Sequence, residues 1–191
     1  MSRRAAALLV AACAAILVAA FWLWRAPGSA PAGAPAEESA APETPAEPPE
    51  SFTARLSRPA AGGGLAVEEV ALTSAADPRA RVQAALAALL AAPAAGELGA
   101  LFPEPVAVHK VLLSAEGTLY VDLAPEAGGD PPPAGSTEEM QRVYALVHTA
   151  LDAAPEAARV VLLWNGIQRR SLSGHVDTAR PLARFAALEA R

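Results

Sequence analysis

The sequence contains few cysteine, histidine, lysine or aromatic residues. Of its 191 residues one is a cysteine, Cys13, and three are histidines. A single cysteine excludes an intrachain disulfide and a cluster of thiolate metal ligands. Lys110 is the only lysine, and the net charge of −5 excludes the broad basic face that nucleic-acid binding requires. We therefore expect no nucleic-acid partner.

The N-terminus has one long apolar run. Residues 5–24 carry no charge, and about 20 such residues are enough for a helix to cross ~30 Å of hydrocarbon. Arg3 and Arg4 precede the run and aromatic residues end it, which places the N-terminus in the cytoplasm. Residues 1–25 are predicted to be a transmembrane or signal anchor. It would hold a single-pass protein in the inner membrane, with its C-terminal domain outside the cytoplasm.

Two alternatives remain open for this segment. The run could be a signal peptide that is cleaved, although its aromatic end is not typical of a small-x-small cleavage site. It could also belong to a lipoprotein, because Val10-Ala-Ala-Cys13 resembles a lipobox.

The following residues, 26–50, differ sharply in composition. They are rich in proline and alanine, and their only charged residues are five glutamates. No aliphatic side chain larger than alanine is present, so the segment cannot offset the entropy cost of folding. We predict a disordered, extended linker.

Residues 51–191 have the length of one domain. Strand-like runs alternate with two helical patterns. The first helix is expected to begin at Asp77-Pro78, an N-cap followed by proline. The second is expected to begin at Ser136–Glu139, which has the spacing of a capping box. The predicted fold is α+β with two layers, in which two helices pack on one face of a mixed or antiparallel sheet of about five to six strands.

The end of the chain has the strongest turn signal. Arg159–Trp164 is a continuous apolar run that indicates a central strand with Trp164 in the core. Asn165-Gly166 then predicts a tight hairpin turn into a strand over residues 167–172. A short last helix is expected over residues 182–190.

The polar residues do not form a recognisable catalytic or metal-binding pattern. His148 and Asp152 are spaced to meet on one helix face, yet no further ligand accompanies them. We expect Asp177 to accept backbone N–H groups and His175 to bond a carbonyl of the hairpin, so that both fix a turn. The sequence predicts no catalytic residue, no metal, no cofactor and no small-molecule substrate.

Several segments, taken in order, resemble the GerMN domain of the sporulation and germination protein GerM. They are the helix 78–93, Leu101-Phe-Pro103, Tyr120–Leu123, the helix residues 143–151, the strand and turn 160–166, Gly174–Asp177 and Pro181-Leu182. This chain has His148 where the family commonly has asparagine, and Asn165-Gly166 where it commonly has Asp-Gly. The resemblance extends from about residue 51 to residue 182. The candidate family-motif or interaction residues are Tyr120, Asp122, Asn165, Gly166, Gly174, His175 and Asp177.

The resemblance implies a domain of the cell envelope that takes part in protein assemblies and is not an enzyme. Combined with the anchor, it predicts a protein-interaction module that is tethered to the membrane through residues 5–24. Its partner would be an envelope protein that the sequence does not identify. The alternative functions are an envelope hydrolase and a module that binds the cell wall.

Overall fold

The computed structural model describes residues 50–60, 62–74, 76–91, 100–126 and 128–188. All of them belong to one compact unit, Thr44–Arg191. The predicted anchor, Cys13 and the linker up to residue 49 lie outside the described residues. Within the described ranges, neither helix combines the length and the apolar character that a membrane span requires.

The described part of the chain contains five strands and two α-helices, which confirms the α+β prediction. In chain order they are β1 (Glu50–Pro59), β2 (Leu65–Ser74), α1 (Pro78–Leu90), β3 (Val106–Leu113), β4 (Thr118–Pro125), α2 (Ser136–Ala153) and β5 (Arg159–Trp164), followed by a short 3₁₀ helix (Ala186–Leu188).

These strands divide into two sheets, whereas the sequence indicated one sheet. β1 and β2 form an antiparallel pair, and a second sheet has the order β3-β4-β5. β3 and β4 are antiparallel, while β4 and β5 are parallel and are connected through α2. α1 contacts β1, β2 and β3, and α2 contacts β1 and β5. The helices therefore join the two sheets into one hydrophobic core.

β5 is not central in its sheet, so that prediction was wrong. β4 is its one strand neighbour in the described ranges, and two isolated bridges, Val160 to Leu182 and Trp164 to Ile167, are its other backbone pairings there. The strand is continuously apolar because both of its faces are covered, although it lies at the edge of the sheet. Val160 and Leu162 are in the core, and Val161, which points to the opposite face, is 3% exposed.

α1 begins as the sequence predicts. Asp77 is the N-cap and accepts a hydrogen bond from the amide of Arg79, and Pro78 follows it. Val82, Leu86 and Leu89 of its apolar stripe are fully buried. At the other end of the helix, the buried guanidinium of Arg58 on β1 donates to the carbonyls of Ala88 and Leu89. This cation satisfies acceptors that a helix C-terminus leaves free and attaches α1 to the first sheet.

α2 does not begin with the predicted capping box. Its N-cap is Gly135, and no side chain caps the first turn. Glu139, which was expected to bond the helix N-terminus, is fully buried, and its carboxylate bonds a different part of the chain.

The last segment has less regular structure than the sequence indicates. The hairpin turn forms, but the strand predicted over residues 167–172 is limited to a bridge between Trp164 and Ile167. Of the last predicted helix, the structure contains the 3₁₀ turn at Ala186–Leu188. Residues 189–191 lie outside the described part.

Candidate functional site

Glu139 is the centre of the polar contacts around the Gly174–Asp177 motif. One carboxylate oxygen accepts from the Ser171 hydroxyl at 2.6 Å and from the Ser173 amide at 2.7 Å. The other accepts from the His175 amide at 2.6 Å and lies 3.1 Å from His175 Nδ1. A single side chain on α2 therefore holds the loop that follows the hairpin. We call residues 171–177 the motif loop.

These contacts determine the charge of Glu139. Burial alone would raise the pKa of its carboxyl group, but hydrogen bonds from Ser171, Ser173 and His175 outweigh burial and lower the pKa. The group is therefore ionised near neutral pH. Because an ionised carboxylate only accepts hydrogen bonds, His175 Nδ1 carries a proton in this contact. His175 Nε2 bonds to no other residue of the described ranges.

Arg142, one helical turn from Glu138, connects three segments. Its guanidinium donates to the carbonyls of Leu101 and Pro132 and to the carboxylate of Glu138. Its Cζ lies 4.8 Å from the ring centre of Phe102, a cation–π distance. Because burial removes water from this cation, its pKa is lowered from its ordinary value, although the nearby glutamates favour the charged form. Arg142 thus fixes the loop before α2 against the chain that precedes β3.

Asp122 on β4 holds the hairpin turn. Its side chain is buried and accepts from the Gly166 amide at 2.7 Å. Asn165 and Gly166 have φ angles of 52° and 75°, as a two-residue turn of this handedness requires. His109 Nδ1 lies 3.4 Å from the other oxygen of Asp122, at a bulge in β3.

The proline-rich loop before α2, residues 128–134, is attached both to the hairpin turn and to the motif loop. The Gly129 carbonyl accepts from the Trp164 indole at 2.8 Å and from the Asn165 amide group at 3.0 Å. The Pro132 carbonyl accepts from Arg142 and from the Ser173 hydroxyl. These contacts place the hairpin, the motif loop and the proline-rich loop together at one end of the domain.

A groove of about 790 Å³ lies beside the motif loop. Its polar lining includes Arg169, Arg170, His175 and Asp177. Asp177 accepts from the Ala179 amide at 3.0 Å, as the sequence suggests, and so opens the next turn. The contact predicted between His175 and a hairpin carbonyl was wrong, because its ring faces Glu139 instead.

The candidate residues thus occupy three places. Asp122, Asn165 and Gly166 meet at the hairpin turn, and Gly174, His175 and Asp177 lie in the motif loop. Tyr120 belongs to neither group. It is 39% exposed on the outer face of the second sheet, directly opposite Leu112 of β3.

His148, the other histidine that the sequence analysis considered, binds the C-terminal segment. His148 is buried, and its Nε2 accepts from the Phe185 amide. Asp152 accepts from Arg184 at 2.7 Å. Both residues of the predicted pair therefore bind successive residues of the C-terminal segment. Across the ranges that the structure describes, no three His, Cys, Asp or Glu side chains are close enough to hold a metal ion.

Sequence reasoning did not identify Glu139 or Arg142 as important. Glu139 was assigned to a cap because of its spacing from Ser136. A second signal was present, since Glu139 lies four residues before Val143, on the apolar face of α2. A charged residue on a buried helix face requires partners, and those partners are the donors of the motif loop.

Comparison with known proteins supports the fold that this geometry describes. The sequence profile of the Germane family, described as sporulation and spore germination, matches residues 59–170. The Gly174–Asp177 motif lies beyond that match. No curated protein is similar enough to this chain to count as a relative.

Solved structures with a similar fold include domains from two bacteria. The first GerMN domain of the sporulation protein GerM from Bacillus subtilis is 17% identical with a TM-score of 0.56, over 70% of this chain and 98% of that domain. The tandem GerMN domains of the same protein give a TM-score of 0.55 at 17% identity, over 70% of this chain and 46% of theirs. A candidate lipoprotein from Clostridium perfringens gives 0.50 at 13% identity, over 71% of this chain and 87% of its own.

These structures confirm the GerMN-like α+β fold. Because the family profile covers more than half of the sequence, the chain belongs to the Germane family of sporulation and spore germination domains.

Proposed function

We propose that this chain is an extracytoplasmic interaction domain of the cell envelope that binds another envelope protein and catalyses no reaction. In this proposal residues 5–24 anchor it in the inner membrane and residues 26–50 separate the domain from the bilayer. The motif residues of the hairpin and the motif loop, together with the exposed Tyr120 on β4, belong to the surface that is presented to the partner.

The proposal rests on what the buried polar side chains bind, which in each case is the backbone of this chain. Asp122 bonds the hairpin turn, Glu139 bonds the motif loop and His148 bonds the C-terminal segment. Acid–base catalysis requires such groups to converge on one substrate position. Here each one holds a different segment of backbone, which favours a rigid surface for binding.

Site-specific photocrosslinking in intact cells tests this proposal. A photoreactive residue at Tyr120 or Ile167, which are 39% and 60% exposed, should form an adduct with a defined envelope protein. The control places the same photoreactive residue at position 69, where Glu69 on β2 is exposed. Absence of any adduct above this control, at both positions, would contradict the proposal.

A further inference from the structure

We infer that the groove beside the motif loop is a recognition site for a carboxylate group on a peptide segment of the partner. This inference rests on the proposed function, because it names the chemistry by which a partner would be bound. It is carried by the charges around the groove and by the size of the groove.

Most charged groups at this groove already have a partner of opposite sign. Arg169 Nη2 lies 2.7 Å from Asp130. Asp177 lies 4.0 Å from Arg180. These pairs largely cancel, so they leave little net charge at the groove.

Arg170 is the exception. It is exposed, lines the groove and forms no ion pair with any residue in the described ranges. The groove thus presents a guanidinium without a counter-charge. The carboxylate of a ligand would supply that counter-charge.

The chemistry of the ligand follows from this balance. A planar guanidinium matches the two oxygens of a carboxylate, and one unmatched cation neutralises one such group. Asp177 on the groove wall and Glu139 beneath it oppose a phosphate that carries two charges, and they oppose a polyanion more strongly. A volume of about 790 Å³ exceeds what one carboxylate fills and suits several residues of peptide.

Fluorescence anisotropy on the full-length chain in detergent micelles tests the inference. The probe is a labelled peptide of four Gly-Glu repeats with blocked ends, and the matched control peptide has glutamine in place of glutamate. Arg170→Gln should weaken binding of the glutamate peptide roughly tenfold, the effect of losing one charge-assisted hydrogen bond, and Arg170→Glu should weaken it further. Arg159→Gln removes the same charge from an exposed position on β5 outside the groove and should leave binding unchanged.

Several results would overturn the inference. They are equal binding of the glutamine peptide, unchanged binding by Arg170→Gln, or an equal loss with Arg159→Gln. Displacement by inorganic phosphate at a lower concentration than by acetate, at matched ionic strength, would assign the groove to phosphate. If the Tyr120 adduct persists in cells while peptide binding is absent, the groove inference fails and the proposed function stands.

Discussion

Replacing Glu139 with glutamine should loosen the motif loop and lower the free energy of unfolding. The carboxylate accepts from the Ser171 hydroxyl and from the Ser173 and His175 amides, all at 2.6–2.7 Å. Glutamine has almost the same shape, but it is neutral and only one end of its amide group accepts. At the other end, its NH₂ group would face donors in a fully buried position.

The size of the effect follows from these three bonds. A hydrogen bond to a charged group contributes about 1.5–3 kcal/mol, against about 0.5–1.5 kcal/mol between neutral groups. A loss of about 1 kcal/mol for each bond gives about 3 kcal/mol in total. A domain with a typical stability of about 5–15 kcal/mol would remain folded, so the effect can be measured at equilibrium.

The effect should depend on pH with a defined sign. The pKa of Glu139 in the folded chain is below its usual value of 4.5. The carboxylate therefore stabilises the fold fully above that value, and this contribution is lost as pH falls through the folded pKa. We expect the stability difference between wild type and Glu139→Gln to be largest near pH 7 and to narrow toward pH 3.

Urea unfolding across this pH range measures the difference, and hydrogen exchange at the Ser173 and His175 amides locates it. Glu156→Gln, at an exposed position between α2 and β5, is the matched control and should change little. A Glu139→Gln variant as stable as this control would refute the reasoning. So would a stability difference that stays constant or grows as pH falls.

Three further predictions test other contacts. Gly166→Ala should destabilise the fold by about 1–2 kcal/mol because φ is +75° there, although nothing crowds an added Cβ. Gly62→Ala, which also has open space and no positive φ, should change the unfolding free energy by less than about 0.5 kcal/mol. Arg142→Met should cost about 2–3 kcal/mol in urea unfolding, because it leaves the buried Leu101 carbonyl unpaired and removes the cation–π contact with Phe102; the exposed Arg159→Met should cost little, and equal losses would contradict this. Cys13→Ser should leave the chain in the membrane fraction, with the residues before position 13 present in wild type and variant alike, if the apolar segment is an uncleaved anchor; loss of those residues from the wild type alone would favour the lipoprotein.

The local elements could be predicted because their signals are short-range. Asp77-Pro78 marks the start of α1, and the Asn165-Gly166 turn has both of the positive φ angles that the dipeptide implies. The fold class follows from the order of strands and helices. These features depend on neighbours within a few residues, so the sequence pattern contains them.

The division into two sheets and the role of Glu139 depend on contacts that are distant in the sequence. A run such as Arg159–Trp164 shows that both faces are covered, but it does not show which strand lies beside it. The spacing of Ser136 and Glu139 favoured a local cap. In the fold, donors more than 30 residues away compete for the same carboxylate and bind it. Local spacing cannot reveal which of the two sets of donors prevails.

The position of β1 has a mechanical consequence. The strand begins at Glu50, so tension on the preceding chain would enter the domain there. β1 has one strand neighbour, β2, and Glu50 pairs with Ser74 at the open end of that hairpin. Pulling on residue 50 would therefore load the backbone hydrogen bonds between β1 and β2 and the packing of β1 against the two helices before it reached the second sheet, which carries the Asn165-Gly166 turn.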